Sequence, residues 1–136
     1  MIGNVQLNGA NFNSPLQGQS PYIVNGSLSY NAKGGTSFSL MYNKVGPRLK
    51  FRGVSGGAFN IYEAPRDLVD FQVNIKMFKG KVDCKFSIVD VLAQPFRWYY
   101  KFDPNPLNNY FDASKDRYIN SSRFGTGING GIKINL

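Results

Sequence analysis

Side chains that could do acid–base or nucleophilic chemistry are sparse in this sequence. It has no histidine, a single cysteine, Cys84, and eight acidic residues, of which Glu63 is the one glutamate. Histidine is the commonest general base, and zinc sites are built mainly from cysteine and histidine. We therefore expect no enzymatic activity, no cofactor and no metal, and we interpret Cys84 as a small apolar residue on a strand.

One string matches the dinucleotide-binding fingerprint G-x-G-x-x-G, with glycines at Gly125, Gly127 and Gly130. That fingerprint works only when a strand precedes it and a helix follows it, because the pyrophosphate binds at the helix amino terminus. The residues from Gly131 to Leu136 are too few for such a helix. We predict that these glycines lie on a strand, where they ease curvature or leave room for a neighbour.

Oxygen-bearing side chains also gather in the segment from Asp103 to Asn109. Asp103, Asn105 and Asn108 are able to ligate calcium, but the segment lacks the glycine and terminal glutamate of a calcium-binding loop. Closely spaced proline and asparagine residues are typical of turns. We predict a solvated loop here.

An aromatic segment with interleaved cations follows Pro95. Its residues are Phe96, Arg97, Trp98, Tyr99, Tyr100, Lys101 and Phe102. Such a cluster has three uses: a girdle at a membrane interface, a surface that binds ligand above the membrane, or a stacking platform for single-stranded nucleic acid. In the last case Arg97 and Lys101 would contact phosphates. The girdle is the favoured interpretation.

Composition narrows the class of protein without choosing a partner. The 136 residues carry a net charge of +8 and are 42% hydrophobic. This size predicts at most one domain, and the charge favours anionic partners such as nucleic acid, lipopolysaccharide or acidic ligands. No apolar run approaches the roughly 20 residues of a spanning helix, so strands are the one route by which this chain could cross a bilayer.

Alternation of apolar and polar residues with period two recurs along the chain and predicts about five strands. Tight turns are predicted at Ala32–Gly35 and Lys79–Lys81, and Gly46-Pro47 predicts an irregularity within the second strand. The predicted strands are Tyr22–Asn31, Thr36 to about Arg52, Asp67–Phe78, Val82 to about Ile88 with an aromatic continuation at Phe96–Phe102, and a last strand that starts after Tyr118.

Short and long connections alternate between these strands, and the last strand runs to the carboxyl end. An amphipathic strand left at an exposed edge invites aggregation, whereas in a closed barrel it pairs with the first strand. Bacterial barrels need at least about 8 strands, so five are too few to close one. We therefore predict an all-β, antiparallel meander that forms the carboxyl-terminal part of a transmembrane β-barrel.

The alternation assigns residues to two faces and a girdle. The predicted lipid-facing residues are Val24, Leu28, Phe38, Leu40, Val69, Phe71, Val73, Ile75, Phe86, Ile88, Ile128, Ile132 and Ile134. The predicted lumen-facing residues are Asn25, Ser27, Ser39, Asn43, Asp70, Gln72, Asn74, Lys76, Asp83, Lys85, Asn129 and Lys133. The predicted aromatic girdle or ligand loop consists of Tyr22, Tyr30, Tyr42, Trp98, Tyr99 and Tyr100.

Three segments carry a resemblance to a known family. They are Pro15–Tyr22 before the first alternating strand, Ile61–Arg66 before the third and Asp90–Phe96 after the fourth. In order and spacing they resemble the final barrel strands of TonB-dependent outer-membrane receptors, especially those of Bacteroidota. The chain departs from many barrel proteins at its end, where Leu136 stands in place of a terminal aromatic residue.

The resemblance implies a location in the bacterial outer membrane and a role in the energy-driven uptake of a scarce nutrient. Residues 1–21 would then form an extracellular loop and the tail of a strand, residues 22–136 would form the last strands, and the plug domain is absent from the chain. The implied partners are the remainder of the barrel and its plug, TonB through a segment outside this sequence, lipid and lipopolysaccharide, and a surface lipoprotein.

Two other functions remain open. The first is a structural or secretion-associated outer-membrane barrel component without transport. The second is a small soluble basic β domain that binds nucleic acid, a partner that the barrel interpretation does not include. Steeply salt-dependent affinity would characterise the second.

Overall fold

The structure is a computed structural model that describes residues 2–7, 10–53, 59–102 and 109–135, with side chains from residue 16 onward. The described residues form antiparallel strands and one short 3-10 turn at Phe78–Gly80. The strands are β1 Ile2–Leu7, β2 Ala10–Pro15, β3 Ile23–Asn31, β4 Thr36–Val45, β5 Arg48–Phe51, β6 Asn60–Glu63, β7 Arg66–Met77, β8 Val82–Val89, β9 Phe96–Lys101, β10 Arg117–Ser122 and β11 Gly127–Ile134. No helix in these ranges has the length and apolar content needed to span a bilayer.

The chain divides into two compact units. The first unit comprises Met1–Ile23, Val45–Arg66 and Pro95–Ser122, and the second comprises Val24–Lys44, Asp67–Gln94 and Arg123–Leu136. The prediction of at most one domain stays a prediction. The division arises because the chain passes repeatedly between two separately paired sets of strands.

The second unit is a five-stranded sheet in the order β11-β8-β7-β4-β3. Its period-two sequences pair antiparallel, as predicted, and two tight turns join neighbouring strands. At the first turn, the amide of Ala32 donates to the carbonyl of Thr36 at 2.8 Å. At the second, Phe78, Lys79 and Gly80 all have positive φ, which reverses the chain within three residues.

The first unit contains a four-stranded sheet in the order β10-β9-β6-β5 and a separate hairpin of β1 and β2. Irregularities interrupt the register between Leu49 and Phe51 and between Tyr118 and Asn120. The buried hydrophobic residues of the described chain all lie in this unit. They are Leu49, Tyr62 and Tyr99, with Ala64 and Phe111 packed against them.

Most predicted strands are confirmed, and four features differ. The break at Gly46-Pro47 separates β4 from β5, as the loss of a donor and the freedom of glycine predicted. However, β1 and β2 pair antiparallel where a loop and one strand tail were expected, and β6 is a strand that its short, nonalternating sequence did not predict. The last strand is also divided, into β10 and β11. The aromatic segment predicted to continue the fourth strand is a separate strand, β9, which belongs to the four-stranded sheet. Except for Asn109, the predicted solvated loop at Asp103–Asn109 lies outside the described residues, and so do the three oxygen-bearing side chains considered for calcium.

Two adjacent glycines in the first tight turn provide a matched test of this packing. Gly34 has φ +104° and open space where a Cβ would stand, whereas a Cβ on Gly35, at φ +89°, would lie 2.9 Å from the Cβ of Lys76. Gly34→Ala should cost about 1–2 kcal/mol from its backbone conformation alone. Gly35→Ala should cost about 1–3 kcal/mol more, because β7 must shift.

Urea unfolding of both variants under identical conditions measures this difference. Equal free energies of unfolding for the two variants would contradict the close approach of this turn to Lys76.

Candidate functional site

The register of three adjacent strands gathers apolar side chains on one face of the second unit. Residues of β7, β8 and β11 that face each other across the sheet form rows, and the rows alternate between apolar and polar. The apolar rows are Phe71–Ile88–Ile128, Val73–Phe86–Gly130, Ile75–Cys84–Ile132 and Met77–Val82–Ile134. Because side chains alternate with period two, all four rows lie on the same face, which we call the apolar face.

Strands β3 and β4 also place apolar and polar side chains on opposite faces. Tyr30 and Phe38 stack with their ring centroids 6.5 Å apart, so the even-numbered residues of both strands share a face. Leu28, at 70% exposure, and Leu40, at 43%, belong to this set. Ile132 on β11 is 73% exposed. Within the described chain, the apolar face is therefore open rather than packed against a core.

The opposite face, which we call the polar face, is linked by side-chain hydrogen bonds. Ser29 and Ser39 are 3.3 Å apart, and the amide of Asn43 donates to Asn25 on β3. The Asn74 amide donates to Ser37 at 3.3 Å, which connects β7 to β4. The polar rows beyond them are Gln72–Ser87–Asn129, Asn74–Lys85–Gly131 and Lys76–Asp83–Lys133.

The strand pairing and these hydrogen bonds put the residues predicted to face lipid on one side of the sheet and those predicted to face the lumen on the other. The thirteen residues of the first set follow the phase of the apolar rows, and those of the second follow the phase of the polar rows. What each face contacts stays a prediction. Exposure of so many large apolar side chains on one surface is typical of a protein or membrane contact.

A cluster of polar side chains lies at one end of the apolar face. The Tyr42 hydroxyl donates to the carboxylate of Asp67 at 2.6 Å, and the Lys44 ammonium lies 3.0 Å from the same oxygen. The Gln94 amide reaches the other oxygen of Asp67 at 3.5 Å. Tyr42 was predicted as a girdle residue. Asp67 was not singled out, although it stands in phase with Val69 at the start of β7.

Strand alternation divides the predicted aromatic girdle in the first unit. Tyr99 is fully buried and lies parallel to Tyr62, with ring centroids 6.0 Å apart. Trp98 lies on the other side of the sheet, edge-on to Phe51 at 6.0 Å. Tyr99 consequently has no surface for a headgroup or ligand. Tyr100, at 38% exposure, does.

Tyr22 also lies in the first unit, and its contacts are intramolecular. Its hydroxyl accepts a hydrogen bond from the Tyr110 hydroxyl at 3.0 Å. Its ring closes on Gly46, where a Cβ would meet it at 2.7 Å. Tyr22 therefore fixes the chain near the break between β4 and β5.

A buried ion pair joins the end of β9 to the described residues before β10. The Lys101 ammonium lies 2.9 Å from the Asp116 carboxylate and donates to the carbonyl of Tyr110 at 2.6 Å. Asp116 also accepts from the amides of Phe102 and Asp112, at 3.0 Å and 2.8 Å. With 2% of its side chain exposed, Lys101 cannot contact nucleic-acid phosphate as the platform interpretation required.

Burial acts to raise the pKa of Asp116, but the hydrogen bonds from Lys101 and from two backbone amides outweigh it and hold the pKa below the ordinary value of 3.8. Sequence reasoning missed this pair, because a Lys–Asp separation of 15 residues has no periodic signature. The cluster holds Tyr110 and Asp112 against the end of β9.

Neither metal ligands nor known relatives assign a function to the chain. In the part of the chain that the structure describes, no three acidic, cysteine or histidine side chains converge on a metal-binding position. No family model, no curated protein and no solved structure matches the chain. A proposal about function therefore rests on the two-faced sheet and on the sequence resemblance.

The Lys101–Asp116 pair should make the stability of the chain depend on pH. Asp116→Asn should destabilise the chain at neutral pH by about 3–5 kcal/mol, since it leaves the Lys101 charge buried without a counterion. Because the folded pKa is depressed, the stabilisation is present above pH 3.8 and is lost as the pH falls through the folded value. The variant should therefore show a weaker loss of stability in acid than the unsubstituted chain.

Denaturant unfolding followed by the fluorescence of Trp98, the one tryptophan, measures both effects. Asp112→Asn is the control, since that carboxylate caps Ser114 at the surface and should matter less. Identical acid profiles for Asp116→Asn and the unsubstituted chain would contradict this account of the pair.

Proposed function

We propose that the chain supplies strands to the wall of an outer-membrane β-barrel of the TonB-dependent transporter type. One observation carries the proposal: a five-stranded antiparallel sheet with an open apolar face and an open polar face, separated row by row. A sheet that faces water on one side normally covers its apolar side with a core. A barrel strand instead turns that side to lipid and its polar side to a wet interior.

The charges support the same orientation. Lys76, Lys85 and Lys133 all belong to polar rows, and in those rows they neighbour asparagine, glycine or Asp83. On the lipid side near the bilayer centre, each lysine would cost about 2–4 kcal/mol. On the wet side, water and neighbouring polar groups solvate them. The described apolar rows contain no charged residue.

The end of the apolar face also fits a membrane boundary. Tyr42 has an apolar ring in phase with Phe38 and Leu40, and its hydroxyl binds Asp67. Tyrosine favours this kind of position, where the ring meets acyl chains and the hydroxyl meets polar groups. We infer that the five strands of this sheet cross the hydrocarbon layer and that the Tyr42–Asp67 cluster lies near its edge.

Transport is the finer part of the proposal and rests on the resemblance to TonB-dependent receptors. The chain would line part of a lumen that holds a plug, while TonB supplies energy through a segment outside this sequence. Lipopolysaccharide and a surface lipoprotein are further proposed partners. A barrel wall without energised uptake would instead place the chain among structural or secretion-associated outer-membrane components.

A charge placed on either face tests the barrel wall. Ile132→Lys, on the apolar face of β11, should lower the free energy of unfolding in lipid vesicles by about 2–4 kcal/mol. Asn129→Lys adds the same charge to the polar face of the same strand. It should change the free energy of unfolding by less than about 0.5 kcal/mol.

The measurement is urea unfolding of the vesicle-reconstituted protein, with insertion checked by resistance to alkaline extraction. Equal losses for the two variants would refute the lipid-facing assignment. A chain that stays in the aqueous phase without detergent and binds oligonucleotide would favour the soluble nucleic-acid-binding alternative.

A further inference from the structure

Lysines collect at one end of the second unit's sheet, where its two tight turns lie. The amide of Lys76 donates to the carbonyl of Gly35 at 3.2 Å, and the amide of Asn135 donates to the carbonyl of Lys81 at 2.8 Å. These bonds bring the first turn, the second turn and the end of β11 to one edge. The lysines of the two turns, which we call the lysine edge, are Lys33, Lys79 and Lys81.

The lysine edge has little negative charge to balance it. All three lysines are exposed, and in the described residues none of them lies within ion-pair distance of a carboxylate. The described part of this edge contains one acidic residue, Asp83, whose Oδ2 accepts from the Asn135 amide at 3.3 Å. By contrast, Asp67, Asp70 and Asp90 lie toward the other ends of their strands. Charge is therefore polarised along the sheet.

Apolar side chains adjoin these cations. Phe78, inside the second turn and directly before Lys79, is 73% exposed. Met77 and Ile134, which end the last apolar row, are 40% and 65% exposed. Lys79 and Lys81 therefore follow directly on the end of the apolar face at Met77, and the exposed Phe78 lies in the same turn. This juxtaposition matches the boundary between acyl chains and headgroups, where lysine stems lie along apolar surface and their charges reach phosphate.

We propose that the lysine edge binds the phosphate of anionic phospholipid headgroups in the leaflet that meets the tight turns. The proposal rests on the barrel-wall function and adds to it a preferred lipid and an orientation. Lipid suits this edge better than nucleic acid, because the cations flank a continuous apolar surface and Phe78 is the one aromatic side chain of the two turns. A nucleic-acid surface would interleave cations with several stacking rings.

The test compares two charge-matched variants of the full chain. Lys79→Gln/Lys81→Gln removes two charges from the lysine edge, and Lys115→Gln/Arg117→Gln removes two from the exposed segment before and at the start of β10. Binding is measured by cosedimentation with phosphatidylcholine vesicles, with and without phosphatidylglycerol. At about 1 kcal/mol per lysine, the first variant should bind the anionic vesicles about 30-fold more weakly than the unsubstituted chain.

The two variants should bind neutral vesicles equally, and the control variant should keep its preference for phosphatidylglycerol. Lys79→Arg/Lys81→Arg should restore that preference, and about 1 M salt should abolish it. Circular dichroism in neutral vesicles verifies that each variant folds. A full preference for phosphatidylglycerol in Lys79→Gln/Lys81→Gln, or an equal loss in both variants, would overturn the proposal.

Failure of this proposal is distinguishable from failure of the barrel wall. Insertion into neutral vesicles without any lysine-dependent preference would refute the lysine edge alone. Lysine-dependent binding that alkaline extraction removes would refute the barrel wall and leave a peripheral anionic-lipid site. A single-stranded oligonucleotide that displaces the chain from anionic vesicles at equal phosphate concentration would reassign the lysine edge to nucleic acid.

Discussion

The strand register among β7, β8 and β11 is the constraint on which the second unit depends. Since side chains alternate with period two, a slip of one residue would move Ile132 and its neighbours to the side of Lys85 and Asp83. The observed pairing prevents such mixing, because every apolar row is continuous across the three strands. The tight turn at Phe78–Gly80 helps to fix the register between β7 and β8. The open apolar face follows from the register of the three strands.

The two units satisfy the need for burial in different ways. In the first, Leu49, Tyr62 and Tyr99 form a small core, and Lys101 forms a buried ion pair with Asp116. In the second, the described residues include no buried hydrophobic side chain, so stability must come from the backbone pairing and from whatever covers its faces. In the barrel wall that we propose, lipid on one side and water on the other would satisfy both faces without any further protein layer.

Local patterns predicted the parts of the fold that depend on neighbours in sequence. Alternation predicted β3, β4, β7 and β8 within a residue or two, and the Gly46-Pro47 break followed from backbone chemistry. The pairing of β6 with β9 was not predicted, because a four-residue strand carries too little alternation and its partners are distant in sequence. For the same reason the sequence did not distinguish Tyr99 in the core from Tyr100 on the surface, nor did it pair Lys101 with Asp116. The sequence likewise did not predict the lysine edge, because strand pairing places two turns that are distant in sequence at the same end of the sheet.

The most direct measurement of the central claim is the environment of two neighbouring faces on one strand. In a Cys84→Ser background, a single cysteine at Ile132 or at Asn129 is labelled with an environment-sensitive fluorophore, and the protein is reconstituted with lipids that carry a nitroxide on the acyl chain. We expect strong quenching and blue-shifted emission at position 132 and weak quenching with aqueous emission at position 129. Equal quenching at both positions, or none at position 132, would contradict the assignment of the apolar face to lipid.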